Sequence, residues 1–204
     1  MKAEVIVELN GKEIYRGKSD SFVVNLAKAL YIALYSSRAG ANTTTTVTAP
    51  TGGGAYVYGF NWPGPSQAQY AGGVWLAMNA PDNDDSYGIW VGSGSAAVSP
   101  GDYNLASKIP HGTGAGQLDY EPHTITSSYS GTSSYVEIAR SFVNKSGGDV
   151  IVREVGLLAR NYWKYSGAVT NDAKFLIARD VLPNPILVPN LASLTVRYRI
   201  SLSL

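Results

Sequence analysis

The chain of 204 residues contains no cysteine. That excludes disulfides, thiolate metal sites and cysteine nucleophiles together. Two histidines, His111 and His123, leave little material for a histidine metal site or a catalytic triad. Charge is scarce as well: Asp, Glu, Lys and Arg make up 15% of the chain, against about 25% in ordinary soluble domains. Sixteen basic and fifteen acidic residues leave a formal net charge of +1. A near-neutral chain carries no electrostatic footprint for nucleic acid or an anionic membrane, so neither is expected as a partner. Long apolar runs are missing too. The longest apolar stretch, Phe22 to Tyr35, is broken by Asn25 and Lys28 and is too short to span a bilayer. Met1 to Glu8 lacks the apolar centre of a signal peptide, and a cytosolic site of folding is expected.

What replaces the charge is Ser, Thr, Asn, Gly (22 residues) and Tyr (14 residues). An all-β domain favours these residues in its strands and turns. A surface largely covered by neighbouring subunits favours them too, because interface cores are depleted in charge and enriched in Tyr and Trp.

The order of patterns is mainly β. Val5, Val7 and Leu9 alternate with charged residues before Asn10-Gly11, a strong short hairpin signal because both residues tolerate positive φ. Ser19 to Ser21 offers helix caps, and Phe22, Leu26, Leu30 and Leu34 recur every four residues, which predicts a helix over Ser21 to Ser37 packed through those four side chains. Tyr31 and Tyr35 lie on a neighbouring face, either covering the edge of the core or, as candidate interface residues, touching another subunit. From Arg38 to Asp85 the texture changes to a Thr run, a Gly52-Gly53-Gly54 turn and a rigid Asn61-Trp62-Pro63-Gly64-Pro65 bend. Short strands are expected at Ala55 to Phe60 and Gly73 to Asn79. Tyr56, Tyr58, Phe60, Trp62, Tyr70 and Trp75 crowd this stretch. A short hairpin cannot bury six aromatics alone. Residues 38–85 are therefore read as an inserted arm that projects from the body and contacts a neighbouring subunit, with an arm folded back onto its own sandwich as the alternative.

Beyond Ser86, strands are expected at Tyr87 to Gly92, His123 to Tyr129, Ser134 to Asn144, Val150 to Arg160 and Lys174 to Asp180. The turn Ser146-Gly147-Gly148-Asp149 predicts a long hairpin between the third and fourth of these. Pro183, Pro185 and Pro189 mark an extended, irregular connection. In the last ten residues Val196, Tyr198, Ile200, Leu202 and Leu204 face one way and Thr195, Arg197, Arg199, Ser201 and Ser203 the other, a half-buried strand. The whole predicts an antiparallel β-sandwich with one N-terminal helix: residues 1–37 as hairpin and helix of the main domain, 38–85 as the arm, 86–204 as the body.

Candidate chemistry is thin. Gly112 to Gly116 lacks the Lys-Ser/Thr and the following helix of a phosphate cradle, and reads as a loop. Asp82-Asn83-Asp84-Asp85 clusters carboxylates, yet Tyr87 and Ser93 stand where a calcium loop needs Gly and Glu, and it reads as a solvated turn. No catalytic constellation, metal site or cofactor site is expected. Glu154, inside an apolar strand, reads as an edge-facing Glu paired with an Arg, with a buried structural Glu as the alternative.

Phe142-Val143-Asn144, Ile151-Val152-Arg153-Glu154-Val155-Gly156-Leu157-Leu158, Phe175-Leu176-Ile177-Ala178-Arg179-Asp180-Val181 and Leu194-Thr195-Val196-Arg197-Tyr198-Arg199-Ile200 follow in an order that resembles structural proteins of tailed bacteriophages, in the tail-collar, fibre and virion-decoration group. Val91-Gly92-Ser93-Gly94 with Tyr103-Asn104-Leu105 is similar to the entry of such a domain. The resemblance covers about residues 86–204, and residues 38–85 match nothing in it. Where the group carries a glycine before the last strand, this chain has Asn190-Leu191-Ala192. The resemblance implies a non-enzymatic virion component, assembled in the host cytoplasm, whose partners are itself as a homo-oligomer and other virion proteins. The alternative is a carbohydrate- or cell-surface-binding module, with a host-surface glycan stacked on the arm's Trp and Tyr rings.

Overall fold

A computed structural model describes residues 2–19, 21–35, 44–58, 74–131, 133–165 and 168–203. Among the described residues eleven strands and one helix run in the order β1 (Lys2–Leu9), β2 (Lys12–Lys18), α1 (Val24–Tyr35), β3 (Thr44–Thr48), β4 (Gly54–Tyr58), β5 (Val74–Ala77), β6 (Gly88–Gly92), β7 (Asp119–Ser130), β8 (Ser133–Val143), β9 (Val150–Tyr165), β10 (Ala168–Val188) and β11 (Ser193–Ser203). The protein is mainly β, every named strand pairing is antiparallel, and the short helix lies near the N-terminus. No helix among the described residues is long and apolar enough to cross a membrane.

The opening hairpin forms as its sequence predicts: Asn10 and Gly11 take φ of 50° and 76°, the positive pair that a tight hairpin turn requires. β1 also pairs with β11, and the first sheet has the order β2-β1-β11-β8-β7. The second has the order β10-β9-β5, with β6 pairing β9 just beyond β5. Val5, Val7, Ile138, Phe142, Val196 and Tyr198 from the first sheet and Ile89, Val91, Leu157, Leu158, Phe175 and Leu176 from the second share one buried cluster.

Two expectations about the connections need correction. The strands on either side of Ser146–Asp149 are not a hairpin: β8 pairs with β7 and β11, β9 with β10, β5 and β6. The turn carries the chain between sheets. Buried Asn144 fastens that corner, its side-chain amide donating to the Gly148 and Val188 carbonyls at 2.8 and 2.7 Å. The prolines 183 and 185 do not interrupt β10. Register passes from Val181 opposite Glu154 to Ile186 opposite Val152, so four residues stand opposite Arg153 alone, Leu182 buried in the core and Pro183, Asn184 and Pro185 exposed. β10 ends the sheet order, and an edge strand tolerates proline there. At the glycine-free turn before β11, Leu191 adopts φ 68° with its side chain exposed, a conformation that costs a non-glycine residue about 1–2 kcal/mol.

The helix is shorter than its periodicity suggests and turns a different face inward. It begins at Val24, and Phe22 lies before it, bridged to Ala178. Asn25 and Ala29 are buried and Leu26 packs on the core, whereas Leu30 is 45% exposed. The Leu34 side chain lies outside the described residues. Asn25 is buried because it docks like one more strand: its amide donates to the Thr48 carbonyl at 3.0 Å and its oxygen accepts the Thr48 N–H at 3.1 Å. The expected consequence is that Leu30→Asp changes stability by less than about 1 kcal/mol. Ala29→Asp, which forces a carboxylate into the contact, costs several kcal/mol. Urea melts of the two variants check this, and equal losses would contradict the face assignment.

The described parts of residues 38–85 lie on the body. β3 and β4 form a hairpin, Val47 is buried in the shared core, and β5 joins β9. This corrects the projecting arm for those parts, and the physical reason is that Val47 and Ala77 have apolar area to bury and the helix and β9 provide the cover. Phe60, Trp62 and Tyr70, and the side chains of Tyr35, Tyr58 and Trp75, lie outside the described residues.

Candidate functional site

Of the eight candidate interface residues, two can be placed as side chains. Tyr31 on α1 is 58% exposed and Tyr56 on β4 is 59% exposed, on elements that pack against each other. Tyr129, at the far end of β7, is 78% exposed, and the sequence reading did not single it out. Large aromatics partly exposed on a protein surface are the usual material of association.

Beneath the surface, the charged groups hold the fold together. Glu154 is fully buried and does not face an edge, because β9 has β10 on one side and β6 on the other. Arg179 donates to its carboxylate at 2.8 Å, and the N–H groups of Gly94, Ala106 and Ser107 donate at 3.2, 3.1 and 2.7 Å. Arg179 in turn binds Asp102 at 2.8 Å and the carbonyls of Ala96 and Ala97. Burial alone would lower the Arg179 pKa, but its bonds to Asp102 and Glu154 carry it above the ordinary value. The loop between β6 and β7 is thus tied to the sheet through one carboxylate. Val91-Gly92-Ser93-Gly94 needs its glycines for this: a Cβ would stand 2.7 Å from the Glu154 carboxylate at Gly92 and 2.5 Å from it at Gly94.

A second cluster fastens the start of β7. Buried Arg140 donates to the carbonyls of Glu121, Pro81 and Asp84 and lies over the Tyr120 ring at 4.6 Å. Its Nη1 has no acceptor among the described residues, and burial pushes its pKa down to about 10. The acidic turn is committed nearby: Asp84 accepts the Ser86 N–H, and Asp85 takes the His111 N–H and the Lys108 ammonium. Burial opposes the Asp85 charge, yet His111 and Lys108 hold its carboxyl below the usual value. Gly112 to Gly116 forms a turn closed on the Gln117 side chain. Among the described residues no three His, Asp or Glu side chains are grouped to hold a metal.

Both histidines act as acceptors of backbone bonds. The Tyr120 N–H donates to His111 Nδ1, and the Ile89 N–H donates to His123 Nε2 at 2.6 Å. With Nε2 accepting, the His123 proton sits on Nδ1 and is donated to the Ala80 carbonyl. Burial, with the Arg140 charge, lowers the His123 pKa from 6.5 to about 4, against the opposing pull of the Ala80 bond and of Asp84. The folded state therefore resists a proton that the unfolded chain accepts. The His123 contribution to stability is expected to be complete above pH 6.5 and to fall as the pH drops toward 4, by up to about 3 kcal/mol. Denaturant midpoints at pH 7.5, 5.5 and 4.5 check this, with His123→Gln expected to flatten that part of the profile.

One further depression lies between the β1–β2 hairpin and the β10 bulge. It is a cleft of about 290 Å³ lined mainly by Leu9, Ile14, Pro183, Pro185 and Leu187, with Tyr15 as its one titratable side chain. Its walls are suited to apolar contact rather than to proton transfer.

Comparison with protein-family models, with curated proteins and with solved structures finds no match to this chain.

Proposed function

We propose that this chain is a non-enzymatic structural protein of a tailed-phage-type virion, acting by assembly with copies of itself and with other virion proteins. On this reading the two sheets pack face to face as a β-sandwich, and residues 38–85 add an aromatic-rich segment to its surface. The observation that carries the reading is the division of labour among side chains. Arg140, Glu154 and Arg179 are buried in structural bonds, whereas Tyr31, Tyr56 and Tyr129 stand out on a chain that is only 15% charged. Such a surface suits repeated contacts, where each aromatic anchor contributes and many copies multiply a modest affinity.

The test is the molar mass of the purified protein by light scattering across a concentration series, followed by localisation of the chain in native particles by electron microscopy. The expected result is an oligomer, and density for the chain in a virion. A strict monomer that binds glycans would replace this reading with the carbohydrate-binding one.

A further inference from the structure

The first sheet ends in two strands of different character. β2 carries Lys12, Glu13, Arg16 and Lys18 along its seven residues, the charge pattern that keeps a sheet edge from pairing with another chain. The opposite edge, β7, has no charge and no proline from Thr124 to Ser130. Its first part is already covered: the His123 N–H donates outward to the Ala80 carbonyl, and the Tyr120 carbonyl accepts the Asn83 N–H. Beyond that point the loop leaves. Backbone groups alternate between the two sides of an antiparallel strand, so Ile125, Ser127 and Tyr129 share the outward direction of His123, while Thr124, Thr126, Ser128 and Ser130 face β8. Among the described residues no backbone partner meets the outward groups of those three residues.

Their side chains carry the same message. One row across the sheet reads Val5, Tyr198, Ile138, Ile125. The first three are buried, and Ile125 is 49% exposed. The next row, Ala3, Ile200, Val136, Ser127, likewise runs from buried Ala3 to Val136 at 38%. The apolar face of the sheet continues past its cover and ends on a strand that has no outward backbone partner among the described residues.

We infer that the β7 edge is where a second copy of this chain pairs, antiparallel and about a two-fold axis through Ser127. This rests on the reading that the protein works by self-assembly, and it names the surface. The occupant is a second copy because the free segment is self-complementary. It runs from Thr124, where the loop at Ala80 stops, to Ser130, where the turn at Gly131 (φ 54°) begins, and Ser127 is its midpoint. In that register Ile125 faces Tyr129 of the partner subunit and Ser127 faces the partner's Ser127. About six backbone hydrogen bonds form across the seam. Ile–Tyr pairs lie on both sides of the axis, and no like charges are opposed. Two five-stranded sheets become one continuous sheet, and the edge disappears. A contact of this kind is isologous, so it closes pairs of subunits.

The test joins hydrogen exchange with molar mass. The wild type is expected at the mass of a dimer or an even multiple, with the amides of Ile125, Ser127 and Tyr129 protected. Ser127→Lys opposes two ammonium groups at the axis and is expected to halve the mass. It should also speed exchange at those three amides at least tenfold, with those of Thr124, Thr126 and Ser128 still protected by β8. Ser127→Pro removes the central outward N–H and leaves the pairing with β8 intact, so it is expected to do the same, while Arg16→Glu on β2 leaves the mass unchanged. An oligomer whose mass survives Ser127→Lys, or an odd-numbered one, overturns the β7 seam but leaves self-assembly standing. A wild type that stays monomeric at high concentration overturns both. Protection of the three amides only on adding another virion protein assigns the edge to a foreign strand and overturns the pairing of copies.

Discussion

Ending the chain before Thr195 is expected to leave no soluble folded protein. β11 is the middle strand of the first sheet, bonded to β1 from Lys2 to Leu9 and to β8 from Ser133 to Val143. Its loss strips both ladders and removes Val196 and Tyr198 from the shared core, at about 1.5–3 kcal/mol per side chain. It also strands charge. Buried Glu137 loses Arg197 and Arg199, its partners at 3.0 and 2.6 Å, and Asp180 loses the Tyr198 hydroxyl at 3.0 Å. Together these exceed the roughly 5–15 kcal/mol by which domains are stable. Soluble yield and a far-ultraviolet melting curve of the truncated chain decide the matter. A cooperative transition near that of the parent would mean that β1 and β8 close the sheet without β11.

Glu154→Ala is expected to cost about 3–5 kcal/mol, and Arg179→Ala a similar amount. Each leaves the other charge buried without its main partner, and loss of Glu154 also deprives the Gly94, Ala106 and Ser107 amides of their acceptor. For a chain of this length that lowers Tm by roughly 10 °C. Because the two residues act as one unit, the double variant should lose far less than the sum. Replacing both by Met should not restore the parent, since three amides stay unsatisfied. Calorimetry of the four variants against the parent tests this, and proteolysis should cut first within the loop between β6 and β7. Strictly additive losses would show that the two side chains do not share a site.

The parts of this fold legible in sequence are those fixed by neighbours along the chain. Asn10-Gly11 dictates a turn wherever it occurs between alternating segments, and the alternation through Val196 and Tyr198 dictates a half-buried strand. The parts that were not legible depend on groups far apart. Nothing near Asn144 announces that its amide will bind a carbonyl in β10, so the turn after it looks like a hairpin and is a crossing between sheets. Glu154 follows Arg153, which suggests a local pair, but its partner is Arg179 and its amide donors lie about 50–60 residues upstream. Leu30 keeps a helical period with Leu26, yet the hairpin of β3 and β4 claims the face centred on Asn25 and Ala29. Of the candidate interface, Tyr31 and Tyr56 were legible as exposed aromatics. The neutral edge of β7 was not, because an edge is defined only once every other strand has found its partner.

The pairing of β1 with β11 also sets a timetable. Val5 lies opposite Tyr198, so the first strand and its permanent neighbour are separated by about 190 residues of synthesis, roughly 10–40 s at cellular translation rates. Throughout that interval β1 and β2 form at most a two-stranded ribbon, marginal on its own in water, with its inner edge bare. β9 and β10, adjacent in sequence, can close as soon as both have left the ribosome. β7 and β8 of the first sheet are adjacent in sequence too, so among the described strands it is the seam between β1 and β11 that waits longest for its partner.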